Sequence, residues 1–303
     1  MNGILPLWKE RGMTSHDCVF KLRKILRTKK VGHTGTLDPG VEGVLPICIG
    51  QATRIAEYLT DAGKVYEAVV SIGRTTTTED AEGETVEENT SHKSFTRAQL
   101  LEALSTLTGV ITQTPPMFSA VKVNGKRLYE YVRKGETVER PTRQVTIHSL
   151  ELLDDVEVYE GEEITFPIRI ACSKGTYIRT LAVQIGEALG YPAHMAELVR
   201  TASGTFTKEN CFTLAQVAER MEAENVDACI LPIEYALSDY PYIEIDQSNE
   251  KEILNGQVLP IHALLKMHDK IVFGVQGKVC AVYQAHPTKD GLMKPHKMFP
   301  TIE

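Results

Sequence analysis

Cysteine patterns that would hold zinc or build a disulfide framework are missing from this sequence. Its six cysteines are scattered along 303 residues, with no Cys-x-x-Cys pair and no Cys/His cluster. Zinc sites need closely spaced ligands, and disulfide frameworks occur mainly in small secreted domains. The sequence therefore predicts no bound metal and favours buried thiols in a reducing compartment.

Targeting and membrane segments are missing as well. The N-terminal stretch carries charge at Lys9 and Glu10 and has no apolar core of a signal peptide. No uninterrupted apolar run approaches the roughly 18 residues that a membrane span requires. These absences predict a cytoplasmic protein with no membrane partner.

Nucleotide-cofactor motifs are also absent. There is no Walker A sequence, and no Gly-x-Gly-x-x-Gly follows a predicted strand. The composition is 42% hydrophobic and 24% charged, which is ample for a packed core and unlike that of a disordered chain. The sequence thus predicts a folded protein without a nucleotide cofactor.

The charges are sorted into blocks, although their sum is −7. Residues 21–30 hold six basic side chains and no acid, and residues 117–145 hold seven basic and three acidic ones. Acids concentrate at 79–88 and 151–163. Such sorting is typical either of solvated loops or of a protein that binds an anionic partner on its basic side.

Helix and strand signals are interspersed, which predicts a mixed α/β protein without regular βαβ alternation. The length favours one large domain followed by a small one. After Ser238 short apolar runs alternate with glycine and charge, which indicates a small β-rich module. Capping boxes, which mark helix starts, occur at Thr14–Asp17, Thr96–Gln99 and Thr213–Gln216. Strands are predicted at 44–49, 65–73 and 164–172, and a further helix at 177–189.

Residues 32–40, with the sequence GHTGTLDPG, form the most unusual stretch. Its glycines let the backbone approach a ligand closely, and Pro39 favours an extended conformation at Asp38. Such a loop is able to present one carboxylate to a cleft. An Asp-Pro pair alone is also typical of an ordinary turn.

Three further stretches carry chemistry, with the sequences KVYEA (64–68), SAVKVNGKRLYEYVRKG (119–135) and CSKGTYIRT (172–180). Aromatic and basic residues interleave in the second at a density suited to gripping an RNA backbone. Taken singly, Tyr66 is typical of a core aromatic and Arg179 of a surface charge.

Together these segments resemble the bacterial tRNA pseudouridine synthase B (TruB) family, almost continuously over residues 2–201. The resemblance also runs through LPLWK, GMTS and GVLPICIGQATR. It implies a mixed α+β fold, with a pseudouridine synthase-type catalytic domain built on a central, largely antiparallel sheet. That domain would span 1–238, with a thumb-like insertion at 117–146. A PUA-like RNA-binding domain would span 239–303.

The resemblance also implies roles for individual residues. Asp38 matches the essential aspartate, Arg179 the arginine paired with it, and Tyr66 the tyrosine stacked on the target base. His33 matches a histidine that helps to flip the target nucleotide. The catalytic set is therefore Asp38, Tyr66 and Arg179, and the expected substrate-binding residues are Lys9, His33, Tyr177, Leu198, Lys122, Lys126 and Arg127.

Two positions depart from the family pattern. Glu10 follows Lys9 where relatives usually have proline, so the geometry around Lys9 need not follow theirs. Thr77 replaces one acid of the pattern TDTxDxxG, whereas Asp80 retains the other. A role for the missing acid cannot be carried over to this chain.

The implied reaction breaks the N1–C1′ bond of a uridine and rejoins the uracil through C5. It involves no redox change and needs no cofactor. A carboxylate can capture an electrophilic intermediate, either at C6 of the base or on a route through a glycal, and both routes remain open. A carboxylate in a dry pocket needs a cationic partner, and an arginine suits because its planar fork can hold both oxygens.

The expected partner is the TΨC arm of tRNA, with modification at position 55, and the default assembly is a monomer. One alternative is a guide-RNA-dependent relative with the same catalytic loop. A second is an RNA-binding or tRNA-folding module without catalysis. A third, a carboxylate-dependent hydrolase, would require a second acid near Asp38.

Overall fold

Twenty strands and seven α-helices are assigned in the computed structural model, which describes residues 1–245 and 250–299. The strands are β1 (Gly3–Lys9), β2 (Val31–His33), β3 (Glu42–Ile49), β4 (Lys64–Ile72), β5 (Arg74–Thr76), β6 (Thr85–Glu88), β7 (Lys93–Thr96), β8 (Gly109–Gln113), β9 (Lys122–Val123), β10 (Lys126–Arg127), β11 (Arg143–Leu152), β12 (Val158–Gly161), β13 (Ile164–Cys172), β14 (Ala193–Ser203), β15 (Phe206–Thr207), β16 (Tyr242–Glu244), β17 (Leu259–Pro260), β18 (Lys270–Val275), β19 (Lys278–Ala285) and β20 (Leu292–Met298). The helices are α1 (Ser15–Ile25), α2 (Ala56–Asp61), α3 (Arg97–Thr106), α4 (Leu128–Lys134), α5 (Ile178–Leu189), α6 (Leu214–Glu222) and α7 (Glu250–Leu254). Within the described ranges, no helix is both long enough and apolar enough to cross a membrane.

The larger part of the chain is built on a sheet of nine strands. Its order is β1-β3-β14-β4-β13-β11-β8, with β2 added to β3 and β15 added to β14. All neighbours run antiparallel except β14 and β3, which are parallel. The prediction of a mixed α+β fold with a largely antiparallel central sheet is confirmed.

Alternating apolar residues hold helices against one face of this sheet. In β13 every second residue from Ile164 to Ile170 is buried, as a strand with one covered face requires. Leu181 and Ile185 of α5 pack in the same cluster. This packing sets the position of the first turn of α5, which carries Arg179.

The helix starts follow the sequence signals. Capping boxes are formed before α1, α3 and α6, by Thr14 with Asp17, Thr96 with Gln99, and Thr213 with Gln216. Gly190 ends α5 in the left-handed conformation, which costs glycine little. These predictions are confirmed.

Residues 114–142 connect β8 to β11 and are called the insertion segment below. They contain the short β9–β10 ribbon and α4. Residues 143–146, which the sequence resemblance assigned to the thumb-like insertion, belong to β11 of the central sheet.

The C-terminal part forms a separate five-stranded sheet, in the order β16-β18-β19-β20-β17. The predicted β-rich character of this part is confirmed for the described residues, while 246–249 and 300–303 lie outside them. Val272 and Val282 share a hydrophobic cluster with Ile4 and Val44 of the larger part. The Tyr58 hydroxyl lies 2.6 Å from Nδ1 of His296 across the same boundary.

Candidate active site

An open cavity of about 680 Å³ lies where the β2–β3 loop, β4, α5 and the insertion segment meet. Six residues that the sequence analysis singled out line it together. They are Asp38, Tyr66, Arg127, Tyr177, Arg179 and Leu198. The fold thus brings residues that are far apart in the sequence into one wall.

The loop that carries Asp38 is held by short polar contacts. The backbone N–H of Leu37 donates to Oγ of Ser15 at 2.8 Å, and the same hydroxyl donates back to the Leu37 carbonyl at 3.1 Å. The N–H of Gly12 donates to the carbonyl of Pro39 at 2.8 Å. Ser15 is buried, so the residues on both sides of Asp38 are fixed before any ligand binds.

Lys9 is placed beneath this loop instead of in the cavity wall. Its ammonium group donates to the carbonyls of Val41 at 2.5 Å and Glu10 at 3.2 Å, and its side chain is fully buried. Burial lowers the pKa of Lys9, and the charge of Asp38 acts in the opposite direction. The donors of Lys9 are directed at loop carbonyls in this structure, and a contact between Lys9 and substrate stays a prediction.

Arg179 links the Asp38 loop to two other segments. Its Nη2 lies 3.1 Å from Oδ2 of Asp38 and donates to the Phe118 carbonyl at 3.1 Å. Its Nη1 donates to the Thr78 carbonyl at 3.0 Å and lies 3.6 Å from Oδ2 of Asp80. The sequence analysis described an arginine that holds both oxygens of Asp38. In the structure the two ends of the guanidinium instead face two different carboxylates.

The arginine is the buried member of the ion pair. The Arg179 side chain is 7% exposed and that of Asp38 is 45% exposed. A buried guanidinium holds its partners in fixed directions. The carboxylate is thus accessible from the cavity while its position is set from behind.

Asp80 is a site residue whose role the sequence did not reveal. Besides facing Arg179, it accepts hydrogen bonds from the Thr78 hydroxyl at 2.5 Å and the Glu82 N–H at 3.1 Å. Thr77, which replaces the other acid of the family pattern, accepts from the Glu84 N–H at 3.2 Å. In this chain the Thr77 position therefore stabilises a turn.

Tyr66 projects from β4 into the cavity wall and is 9% exposed. Burial raises the pKa of its phenol above the ordinary value, and the positive charge of Arg200 opposes that rise. The phenol is consequently protonated at neutral pH. Tyr66 therefore offers the cavity both an aromatic face and an O–H group.

His33 and His16 lie near each other at the edge of the site. His33 ends β2, where the loop that carries Asp38 begins, and does not line the cavity, whereas His16 of α1 does. Burial lowers the pKa of His33, and the charges of Arg200 and His16 add to this effect. Among the described residues, Nδ1 of His33 has no hydrogen-bond partner.

Tyr177 is fixed at the start of α5 from two sides. Its N–H donates to Oε1 of Gln113 at 2.9 Å, and Nε2 of Gln113 donates back to its carbonyl at 3.1 Å. The Arg143 guanidinium lies 4.6 Å from the centre of the Tyr177 ring. The ring is thus held in a set orientation in the cavity wall.

The insertion segment closes one side of the cavity with aromatic and basic groups. Arg127 and Arg133 lie 5.8 and 5.2 Å from the centre of the Tyr129 ring, and all three residues line the cavity. Lys122 and Lys126 lie on the β9–β10 ribbon outside the wall, and Lys126 pairs with Glu136 at 3.2 Å. Of the three basic residues predicted to bind substrate in this segment, Arg127 alone is among the lining residues.

The sequence analysis did not single out His16, Tyr129 or Arg133 as individual site residues. Tyr129 and Arg133 belong to the block of interleaved aromatic and basic residues, so that block was the available signal. His16 was interpreted as part of a capping box. No local pattern distinguishes a helix start that borders a cavity from one that does not.

Known proteins are similar to this chain in fold and in sequence. Residues 23–178 match the family model described as "TruB family pseudouridylate synthase (N terminal domain)". Residues 179–238 match the one described as "tRNA pseudouridylate synthase B C-terminal domain". A chain in the "Crystal Structure of a Cbf5-Nop10-Gar1 Complex" superposes with a TM-score of 0.71 and 29% identity, covering 98% of this chain and 84% of that one.

Full-length relatives are closer in sequence. A protein of Listeria innocua named tRNA pseudouridine synthase B is 57% identical over 98% of each chain. One of the same name from Halalkalibacterium halodurans is 55% identical, over 98% of this chain and 97% of its own. Fold, site and matches together define an isomerase of the pseudouridine synthase class. Within that class, the chain belongs to the TruB family of pseudouridylate synthases.

Proposed function

We propose that this chain converts uridine 55 in the TΨC loop of tRNA to pseudouridine, with Asp38 as the catalytic carboxylate. The observation that carries the proposal is the position of Asp38. It lies in the cavity wall on a loop held by hydrogen bonds, and its Oδ2 is 3.1 Å from Nη2 of Arg179. Tyr66 and Tyr177 add aromatic surface to the same wall. This arrangement suits a reaction on a single nucleobase held away from its neighbours.

Asp38 has a free oxygen for the chemical step. Arg179 contacts Oδ2, and in the described part of the chain Oδ1 has no hydrogen-bond partner. An ionised carboxylate is needed whether it attacks C6 of the uracil or acts at the sugar on the glycal route. Arg179 contacts Oδ2, which leaves Oδ1 for the chemical step.

The target base must leave the RNA stack before it can reach Asp38. Unstacking costs on the order of a few kcal/mol. Stacking on an aromatic ring returns about 1–3 kcal/mol per base. Tyr66 is the ring proposed for this contact, and His33 at the end of β2 is proposed to fill the space that the base leaves.

The insertion segment supports an RNA substrate. Tyr129 between two arginines combines a stacking surface with two charges that can pair with phosphates. The relatives named above carry tRNA in their names at 57% and 55% identity. These names and identities favour a tRNA substrate for this chain.

The division of the chain at residue 238 is part of the proposal. The matched family ranges end at 238, and the C-terminal sheet begins at Tyr242. Exposed lysines at 266, 278 and 289 suit contact with RNA phosphates. We infer a PUA-like domain over 239–303 that touches the acceptor arm.

Replacing the carboxylate tests the assignment of Asp38. Asp38→Asn keeps the size of the side chain and removes its charge, so turnover should be abolished while the Kd for unmodified tRNA stays within a few-fold. Asp61→Asn is a matched control, because Asp61 is also about half exposed and is paired with a cation, Lys174, at 2.7 Å. Appreciable turnover by Asp38→Asn, with deamidation excluded by mass spectrometry, would reject the assignment.

A further inference from the structure

Glu79 has an unusual backbone conformation in the turn between β5 and β6. Its φ is +64°, in the left-handed region that residues other than glycine, asparagine and aspartate rarely adopt. Its N–H donates to the Thr76 carbonyl at 3.1 Å, and its carbonyl accepts from the N–H of Met195 on β14 at 3.1 Å. A residue with a strained backbone persists where its surroundings hold it in place, and such residues cluster at functional sites.

The side chain of Glu79 reaches the helix that carries Arg179. Its Oε2 accepts a hydrogen bond from the Thr180 hydroxyl at 2.6 Å. Thr180 lies in the first turn of α5 and is 8% exposed, and Glu79 is half-buried. Burial raises the pKa of Glu79, whereas the Thr180 hydrogen bond and the charge of Arg179 oppose that rise. The carboxyl group can accept from Thr180 whether or not it is protonated.

Three consecutive residues of this turn contact two consecutive residues of α5. The Thr78 carbonyl accepts from Nη1 of Arg179 at 3.0 Å. Glu79 accepts from Thr180, and Oδ2 of Asp80 lies 3.6 Å from the same Nη1 of Arg179. The left-handed residue thus stands between the two groups that face one end of the guanidinium, and its own side chain is bound to the next residue of the helix.

Glu79 does not itself reach the reacting groups. It is not among the residues that line the cavity, and the family pattern TDTxDxxG leaves its position unspecified. Its effect on the reaction would pass through Arg179, whose Nη2 lies 3.1 Å from Oδ2 of Asp38. A displacement of about 1 Å at a reacting group can cost on the order of 10²-fold in rate.

We propose that Glu79 is a positioning residue, which holds the turn against α5 through the Thr180 hydrogen bond and so fixes the guanidinium of Arg179 relative to Asp38. The inference rests on the proposed function and deepens it, because it adds a residue that the family pattern does not specify. Glu79 transfers no proton in this role. It accepts one hydrogen bond, and that bond keeps the left-handed turn from relaxing.

Glu79→Gly separates the hydrogen bond from the strained backbone. Glycine adopts the left-handed conformation at little cost, so the relief of strain should offset the lost hydrogen bond and leave the melting temperature within a few degrees. The single-turnover rate at saturating enzyme should fall about 10-fold, while the Kd for unmodified tRNA stays within about 3-fold. A Glu79→Gly variant as fast as wild type would overturn the proposal.

Two further variants address the same hydrogen bond from its two sides. Glu79→Gln keeps an oxygen that can accept from Thr180, so its rate should stay within about 2-fold of wild type. A loss as large as that of Glu79→Gly would contradict the acceptor role. Thr180→Val removes the donor and should lose about 10-fold, which keeps the test open if a Glu79 variant does not fold. An unchanged rate in Thr180→Val would also reject the proposal.

A double-mutant cycle measures whether Glu79 acts through Arg179. Lysine at position 179 cannot make the directed contacts of the guanidinium. Glu79→Gly should therefore cost less than about 3-fold in the Arg179→Lys background, compared with about 10-fold in the wild-type background. Equal losses in the two backgrounds would show that the effect of Glu79 takes another route, contrary to the proposal.

Glu224 offers a matched control, because it is a second glutamate in the left-handed conformation. Its φ is +55°, its N–H donates to the Met221 carbonyl at 3.3 Å, and it does not line the cavity. Glu224→Gly should leave the single-turnover rate and the Kd for tRNA within about 2-fold. A rate loss equal to that of Glu79→Gly would reduce the effect to the change of backbone and reject the proposal.

The wild-type rate on unmodified tRNA separates this inference from the proposed function. A wild-type chain that leaves the tRNA unmodified would overturn the proposed function, and this inference with it. An active wild type together with an equally fast Glu79→Gly variant would overturn this inference alone. We expect an active wild type, a Glu79→Gln variant close to it, and a loss of about 10-fold in both Glu79→Gly and Thr180→Val.

Discussion

At the scale of single residues, Arg179 does more than balance the charge of Asp38. It lies within 3.1 Å of Asp38 and of the Phe118 carbonyl, and its other end faces Thr78 and Asp80. One planar group thus contacts the Asp38 loop, the turn before β6 and the start of the insertion segment. Four directed contacts of this kind suit a guanidinium and exceed what an ammonium group can supply.

Arg179→Lys should therefore cost far more activity than affinity. Lysine keeps the charge but cannot hold Asp38 and Asp80 at once, so we expect the single-turnover rate to fall by on the order of 10²-fold. The Kd for unmodified tRNA, measured by filter binding, should change by less than about 3-fold. Arg169→Lys is the control, because Arg169 forms exposed ion pairs with Glu67 and Glu151 away from the cavity. Near-normal catalysis by Arg179→Lys would mean that charge alone suffices.

At the scale of elements, the proposed catalysis depends on the β2–β3 loop, which carries Asp38. Ser15 on α1 satisfies both the N–H and the carbonyl of Leu37, next to Asp38. A lost partner for a buried N–H costs about 1–3 kcal/mol. The two hydrogen bonds between Ser15 and Leu37 therefore contribute to the stability of the loop as well as to the position of the carboxylate.

Ser15→Ala should separate these two contributions when it is compared with a variant of equal stability cost. We expect a lower melting temperature and a single-turnover rate reduced by about 10-fold or more, since small displacements of a reacting group are costly. Thr213→Ala removes the capping box of α6, which costs about 1 kcal/mol. It should lower the melting temperature and leave the rate unchanged. Equal rates for the two variants would show that the hydrogen bonds between Ser15 and Leu37 do not position Asp38.

The sequence predicted the elements whose signals are local. Capping boxes, a C-terminal glycine and alternating apolar residues located α1, α3, α5, α6 and β13 because each signal is complete within a few residues. The strand β14 was missed, although it carries Leu198 and Arg200. Two β-bulges, between Met195 and Glu197 and between Arg200 and Ala202, break the alternation that would reveal it.

The site was predictable to the extent that the family resemblance assigns residues one by one. It assigned Asp38, Tyr66, Tyr177, Arg179 and Leu198, which share one cavity wall. It assigned Lys9 to the substrate as well, and the structure buries that side chain under the loop. A lysine side chain is long enough to reach either place, and only the packing of β1 against β3 decides between them.

At the scale of the whole molecule, the net charge of −7 is a poor guide to partners. Basic residues are concentrated at 21–30, in and just after α1, and in the insertion segment, and two of them, Arg127 and Arg133, border the cavity. Binding to phosphates releases counterions, so the affinity for tRNA should fall steeply as salt increases. The structure also separates Lys126, whose charge is paired with Glu136, from Arg127 on the cavity wall.

Arg127→Ala should accordingly weaken tRNA binding more than Lys126→Ala. We expect the negative slope of log K against log salt to become shallower by about 1 when Arg127 is removed, as for the loss of one phosphate contact. Removal of Lys126 should change it less, and Arg169→Ala should leave it unchanged. Binding isotherms at several salt concentrations give these slopes. Slopes that stay the same in both insertion variants would remove these residues from the RNA interface.

The most direct test of the central claim is to map pseudouridine, at single-nucleotide resolution, in an unmodified tRNA transcript treated with the wild-type chain. The proposed reaction takes place on one uracil held next to Asp38. The proposal therefore predicts one new pseudouridine, at position 55 of the TΨC loop, and none after treatment with Asp38→Asn. Modification at another position would contradict the proposed target. A transcript left unmodified by the wild-type chain would contradict the assignment of tRNA as its substrate.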